Sequence, residues 1–233
     1  MAERLDLYLA SKSPRRRELL TQAGIRFALC QPGEEYRAGL SEHDCEGGAP
    51  QALAQARARR KALHAEVLSR GVPVLAVDTV VDLDGRELGK AADRDAAAAF
   101  LARLANQEHR VHTAHCLVVP AASERVFEET ASSVVSCASP SRDRLSRYLD
   151  SDQWRGKAGG YGIQDSEQDF LQLVSGSFDT VVGLHVAAVQ RLLQASRASA
   201  RRMRARRPPA RAHSRRTARA ASMAARRARA VAG

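Results

Sequence analysis

Hydrophobic positions change their period several times along the chain, and each change predicts an element. Residues 5–10 (LDLYLA) read as a short strand. Pro14–Ala23 then reads as a helix, with Ser13 as N-cap, Pro14 at the first helical position and Gly24 past the end. In residues 51–70 (QALAQARARRKALHAEVLSR), Leu53, Ala56, Leu63 and Val67 recur near helical spacing among Arg and Lys, which predicts a second, amphipathic helix. The run VPVLAVDTVVDLDGREL predicts a largely apolar strand, a turn at Asp84 and Gly85, and a returning strand. Asp93 caps a third predicted helix through Ala105.

The second half repeats the alternation. RVHTAHCLVV and ERVFEETASSVVSC read as two strands, and Ser141 caps a helix to about Leu149. A glycine-rich loop, KAGGYGIQD, follows, and residues 183–196 read as helical. Strands alternating with helices, plus hairpins, predict an α/β fold of two lobes with a central cleft.

Composition changes this picture little, but charge changes it at one end. The chain has 233 residues, 44% of them hydrophobic, enough for a real core. Its net charge of +11 suggests a nucleic-acid binder until the charges are located. Residues 197–233 hold 13 Arg and no Asp, Glu or Lys, which leaves 24 basic residues against 26 acidic ones before Arg197. The basic signal therefore belongs to an Arg/Ala-rich tail, and residues 1–196 are expected to form the folded domain. For the tail the simplest expectation is disorder, with nonspecific nucleic-acid affinity as the sharper alternative.

The four cysteines, Cys30, Cys45, Cys116 and Cys137, form no C-x-x-C pair and point to neither a zinc cage nor a disulfide framework. No apolar run approaches the roughly 18 residues of a membrane span, and Asp6 and Lys12 interrupt the N-terminal apolar stretch. A soluble, cytoplasmic protein is the expectation.

Candidate chemistry begins at SKSPRRR, residues 11–17. A helix N-terminus offers unpaired N–H groups and a positive dipole end, so Arg15 and Arg16 are misplaced in its first turn unless an anion sits nearby. That points to a phosphate site; the plain alternative is a solvated helix surface. Asp78 ends the apolar run VPVLAV, where strand-end carboxylates meet ligands in α/β proteins, although a turn aspartate would also fit. Glu34 and Glu35 form an adjacent pair in a loop that could face the same cleft. Carboxylates beside phosphate-binding arginines suggest a hydrated Mg²⁺ bridging protein and polyphosphate. Lys61 and Lys90 could add phosphate contacts, or be surface lysines. In KAGGYGIQD the glycines allow close backbone approach, and Gln164 carries a donor and an acceptor of the kind that reads a base edge. His112 and His115 lie in a strand at a spacing that turns them to opposite faces, which argues against a metal site there.

Taken in order, S-x-S-P-R-R (Ser11 to Arg16), Glu35, Lys61-Ala62, A-V-D-T-V-V (Ala76 to Val81), Gly89-Lys90, K-A-G-G-Y-G-I-Q (Lys157 to Gln164) and G-S-F-D-T-V-V-G-L (Gly176 to Leu184) resemble the Maf family over about residues 5–195. The resemblance implies a nucleoside triphosphate pyrophosphatase with the fold of the inosine triphosphate pyrophosphatases: a two-lobed mixed sheet with flanking helices and a central cleft. It implies cleavage between the α- and β-phosphates with a divalent metal, Mg²⁺ or Mn²⁺, house-cleaning of the nucleotide pool, and a link to septum formation and cell-division arrest. Homodimers occur in the family.

By the same resemblance Asp78 is the proton acceptor and, with Glu35, the metal carboxylate. Ser11, Ser13, Arg15, Arg16, Lys61, Thr79, Lys90 and Gln164 are then expected to bind substrate. Arg15, Thr79 and Gln164 resemble the subgroup acting on dTTP and UTP. The alternatives are 7-methyl-GTP or another triphosphate, or a septum-associated or nucleic-acid-binding protein acting through its tail. The chain departs from the family pattern at Gly156 (Asp expected), Ala91 (Pro expected), His185 (Pro expected) and in a loop before Glu35 that is one residue short.

Overall fold

The computed structural model describes residues 5–31, 49–66, 71–120 and 125–206. The chain divides into two units, Met1–Ser196 and Arg197–Gly233. Along it run β1 (Leu7–Leu9), α1 (Pro14–Gln22), β2 (Phe27–Leu29), α2 (Pro50–Leu63), β3 (Val74–Leu83), β4 (Arg86–Leu88), α3 (Arg94–Leu104), β5 (Gln107–Val119), β6 (Arg125–Cys137), α4 (Arg142–Asp150), β7 (Leu171–Ser175), α5 (Phe178–Val182) and α6 (Val186–Arg206).

Local signals place most of these elements. Ser13, Asp93 and Ser141 each accept a hydrogen bond from the backbone N–H three residues on and so start α1, α3 and α4. Asp84 and Gly85, with φ of 54° and 78°, make the tight turn that folds β4 back on β3.

The seven strands of the described residues form one mixed α/β sheet in the order β2-β1-β3-β5-β6-β7, with β4 also on β3. β1 lies parallel to β2 and β3; the remaining pairings are antiparallel. One edge of β3 pairs continuously with β5 from Val74 to Asp82. Its other edge meets β1 only as far as Leu75 and β4 only from Val81. Between those residues no described strand covers it.

Side chains alternate across β3. Val74, Ala76 and Val80 pack under Ala54, Ala58 and Ala62 of α2. Leu75 and Val77 face Leu7, Leu20, Leu184 and Val189 on the opposite side. Beyond residue 80 the strand enters a third cluster, where Val81, Leu83 and Leu88 pack with Leu101, Tyr148 and Trp154. The long strands β3, β5 and β6 thus join two packed ends, and the bare stretch of β3 falls between them.

Three readings of the pattern change, and one strand is not read from it at all. The strand does not end at Asp78 but runs on to Leu83, leaving Asp78 in its middle. The buried stripe of α2 is Ala54, Ala58 and Ala62, whereas Ala56 is exposed; alanines four apart let the helix approach the sheet closely. The last helix begins at Val186, after the short α5. β7 carries no clear pattern because it is a short edge strand with four of five residues exposed. Among the described residues no helix is long and apolar enough to cross a membrane.

Candidate active site

The gap in the edge of β3 is filled from one side by the start of α1. No acidic residue offsets Arg15, Arg16 and Arg17 in its first turn, so the positive end of the helix is left without a side-chain counter-charge of its own. Arg16 is tied down: Nε donates to Gly183 O (2.7 Å), Nη1 to Ser11 Oγ (3.1 Å) and Nη2 to Thr79 Oγ1 (3.2 Å). Ser11 is buried and also accepts from the Ser13 N–H.

Asp78 and Thr79 reach the gap from opposite faces of the strand. Lys61 extends from α2 and pairs through Nζ with Asp78 Oδ1, both side chains being 12% exposed. Thr113 donates to Thr180 O (2.7 Å), so its oxygen accepts from the Thr79 hydroxyl 3.0 Å away. The Thr79 proton is therefore committed inward. Lys90 follows β4 and lies near Lys61, Asp78, Arg16 and Arg15; burial, then Lys61, push its ammonium pKa down.

The glycine loop closes the far side. Gly159 N–H donates to Leu88 O (3.1 Å) and Gly89 O (2.9 Å), and Lys90 bridges to Ala158, which fastens the loop to the end of β4. Beyond it, Asp165 Oδ1 pairs with Lys157 Nζ and accepts from Gln164 Nε2 at 3.4 Å, while Oδ2 accepts from Tyr148 Oη at 2.8 Å. Burial lowers the Lys157 pKa and Asp165 opposes that shift.

These pieces line one cleft. Ser13, Arg15, Arg16, Lys61, Asp78, Thr79, Lys90, Lys157 and Gln164 all border it, and its mouth adds Ser11, Lys12 and Arg155. Among the described residues, five cations (Arg15, Arg16, Lys61, Lys90, Lys157) therefore share the cleft with one lining carboxylate, Asp78, and Lys12 and Arg155 add two more at the adjoining mouth. Such a surface attracts a polyanion. Glu34, Glu35 and the tail beyond residue 206 lie outside the described residues.

Every described candidate from the sequence reaches this cleft or its mouth. The pattern missed Thr113, which bonds Thr79 from 34 positions away, and Asp165 and Tyr148, which bond each other beside Gln164. Of these, Asp165 had a signal: it is the last letter of the glycine loop.

The strand histidines turn apart. His112 contacts Ser132 Oγ (2.7 Å) and Asp82 Oδ2 (3.2 Å). His115 lies on the other face, where Nε2 accepts from the His185 N–H at 2.9 Å and Nδ1 meets Glu129 O at 3.1 Å. A proline at position 185 would lack that N–H.

Among the described residues no three His, Cys, Asp or Glu side chains converge on a metal position. Asp78 still suits a hard cation that keeps its waters and shares phosphate oxygens with substrate, since such ions need only one or two carboxylates.

The family model for Maf-like protein matches residues 6–196. A dTTP/UTP pyrophosphatase of Burkholderia thailandensis is 40% identical over 195 residues, covering 82% of this chain and 92% of that one. A protein of the same name from Roseobacter denitrificans is 41% identical over 188 residues, covering 81% and 95%. Among solved structures, a nucleoside-triphosphatase / dITP/XTP pyrophosphatase of Mycobacterium abscessus aligns over 83% of this chain and 96% of its own at 18% identity, with a TM-score of 0.35. Matched from its first strand to the core-packed part of its last helix, and at this identity to full-length relatives, the chain belongs to the Maf family.

Proposed function

We propose that the protein hydrolyses nucleoside triphosphates, dTTP and UTP foremost, to nucleoside monophosphate and pyrophosphate in the cytoplasm, clearing the nucleotide pool. The carrying observation is the cleft in which, among the described residues, five cations share the lining with a single carboxylate at a bare strand edge, with two more cations at its mouth. The names of the relatives support the choice of substrate.

In this reading the triphosphate lies along Arg15, Lys90 and the start of α1, where Ser11 and Ser13 shape the turn and Arg16 braces it. Asp78, oriented by Lys61, takes a proton from water as its oxygen bonds to the α-phosphorus. The bond to the bridging oxygen breaks, and pyrophosphate leaves with the electron pair. The cations offset the charge that builds on the equatorial and leaving oxygens. Mg²⁺ or Mn²⁺, held by Asp78 with Glu34 or Glu35, would supply further neutralisation of the phosphate oxygens. Gln164 lies at the base end, and Thr79 acts through the arginine it anchors.

Pyrophosphate release is measured with dTTP, UTP, CTP, GTP and 7-methyl-GTP for the wild type and Asp78→Asn. Release from dTTP and UTP, reduced about 10²-fold or more in the folded variant, is the expected result. A folded Asp78→Asn protein with full activity would sink the assignment of Asp78. No release from any triphosphate would sink the reaction.

A further inference from the structure

Asp165 does not line the cleft, yet it touches groups that do. Its side chain is 5% exposed, and its two oxygens take Lys157 Nζ, Gln164 Nε2 and Tyr148 Oη. The charge of Asp165 also acts on Arg15, whose pKa is lowered first by burial and is held up in part by this carboxylate. Lys157, Gln164 and Arg15 all face the cleft. A buried carboxylate thus holds two cleft-facing side chains, Lys157 and Gln164, and its charge acts on a third, Arg15.

An ionised carboxylate only accepts hydrogen bonds. It therefore selects the NH₂ end of the Gln164 amide and turns the Oε1 acceptor away from itself. Lys157 and Arg15 carry only donors. The set offered to a ligand is then two cationic donors with one oriented acceptor. Uracil and thymine present the complementary edge: two carbonyl oxygens with an N–H donor between them. Cytosine presents an amino donor, then two acceptors, and leaves the oriented oxygen facing a lone pair.

The backbone makes room for this grouping. A Cβ at Gly162 would stand 2.6 Å from Asp165 Oδ1, 2.7 Å from Gln164 Nε2 and 2.7 Å from Lys157 Nζ. The Gly162 N–H instead donates to Tyr148 Oη at 3.3 Å, so the loop that carries the amide and the tyrosine that holds the carboxylate are linked.

We infer that Asp165 is a positioning residue for base selection: it fixes Lys157 and Gln164, which with Arg15 across the cleft form a donor–acceptor–donor set that reads the imide edge of uracil or thymine. This rests on the triphosphate pyrophosphatase reading above. Asn at position 165 can donate as well as accept, so the Gln164 amide loses its imposed orientation and Lys157 loses its counterion.

The test is kcat/KM for UTP and CTP with full-length wild type, Asp165→Asn and Lys157→Met. The wild type is expected to favour UTP, and each variant to lower the UTP-to-CTP ratio about tenfold or more, mainly through a higher KM for UTP. A general structural fault would slow both nucleotides together and leave the ratio in place. An unchanged ratio in a folded Asp165→Asn protein overturns the inference and leaves the pyrophosphatase reading standing, as does a wild type without preference for UTP. If Asp165→Asn does not fold, Lys157→Met decides by the same ratio. A wild type inactive on both nucleotides overturns the pyrophosphatase reading and this inference with it.

Discussion

Arg16 Nη2 donates to Thr79 Oγ1 across 3.2 Å, and the bond ties the first turn of α1 to the middle of β3. It also orders a relay: Thr79 donates its own hydrogen bond to Thr113, which donates to Thr180 O in α5. One arginine thus sets the spacing of the helix, the strand and the segment behind them. Thr79→Val keeps the shape and removes the relay. We expect a loss of about 1–2 kcal/mol in urea unfolding and a raised KM for the triphosphate. Unchanged stability and KM would show that the relay is dispensable.

Lys61 and Asp78 neutralise each other inside the cleft, and removing the cation leaves a largely buried carboxylate without its partner. Lys61→Met should cost about 2–3 kcal/mol, short of the full penalty for a broken buried pair because both side chains keep some solvent contact. In this variant Mg²⁺ should raise the thermal midpoint more than in wild type, since the ion replaces the missing charge. Equal shifts in both proteins would contradict a metal role for Asp78.

His115 and His109 make stability depend on pH. Burial pushes each pKa down to about 4, against about 6.5 for an unfolded histidine. The unfolded chain therefore takes up protons first as pH falls. The stabilisation is complete above pH 6.5 and is lost down to about pH 4, at up to about 1.4 kcal/mol per pH unit for each histidine. Urea midpoints at pH 7 and 4.5 should show this fall, and His115→Gln, less stable at pH 7, should show a shallower one. An equal slope in the variant would exclude His115 as a source.

Two glycines separate a structural fault from a functional one. At Gly176, with φ of 90°, a Cβ would stand 2.7 Å from Ser133 Cα and 2.8 Å from Ser132 O. That is backbone, so Gly176→Ala should destabilise by about 3 kcal/mol or more. At Gly162 the obstacles are ends of flexible side chains. Gly162→Ala should stay within about 1–2 kcal/mol of wild-type stability while its KM for UTP rises severalfold. Thermal melts and steady-state kinetics on both variants check the contrast.

Much of the fold was legible because its signals are local. The caps at Ser13, Asp93 and Ser141, the turn at Asp84 and Gly85, and the apolar runs of β3, β5 and β6 act within a few residues of themselves. The candidate side chains were legible as types in an order: arginines at a helix start, an aspartate in an apolar run, a glutamine in a glycine loop. The helix–sheet contact of α2 was misread because apolar spacing points to Leu53 and Leu63, while close packing selects the smaller alanines.

By itself, the sequence determined the element boundaries set by caps and turns, the family, and a set of candidates whose described members line one cleft and its mouth, because each depends on neighbours in the chain or on motifs in register. The tertiary structure decided where those residues stand and what they touch. It put Asp78 at mid-strand beside an edge that β1 and β4 leave bare. It bound Arg16 to Gly183, 167 positions away, and gathered Lys157, Gln164 and Tyr148 on Asp165. Strand register and side-chain pairings between distant segments follow from packing the whole core, and no local pattern of hydrophobic and polar residues contains them.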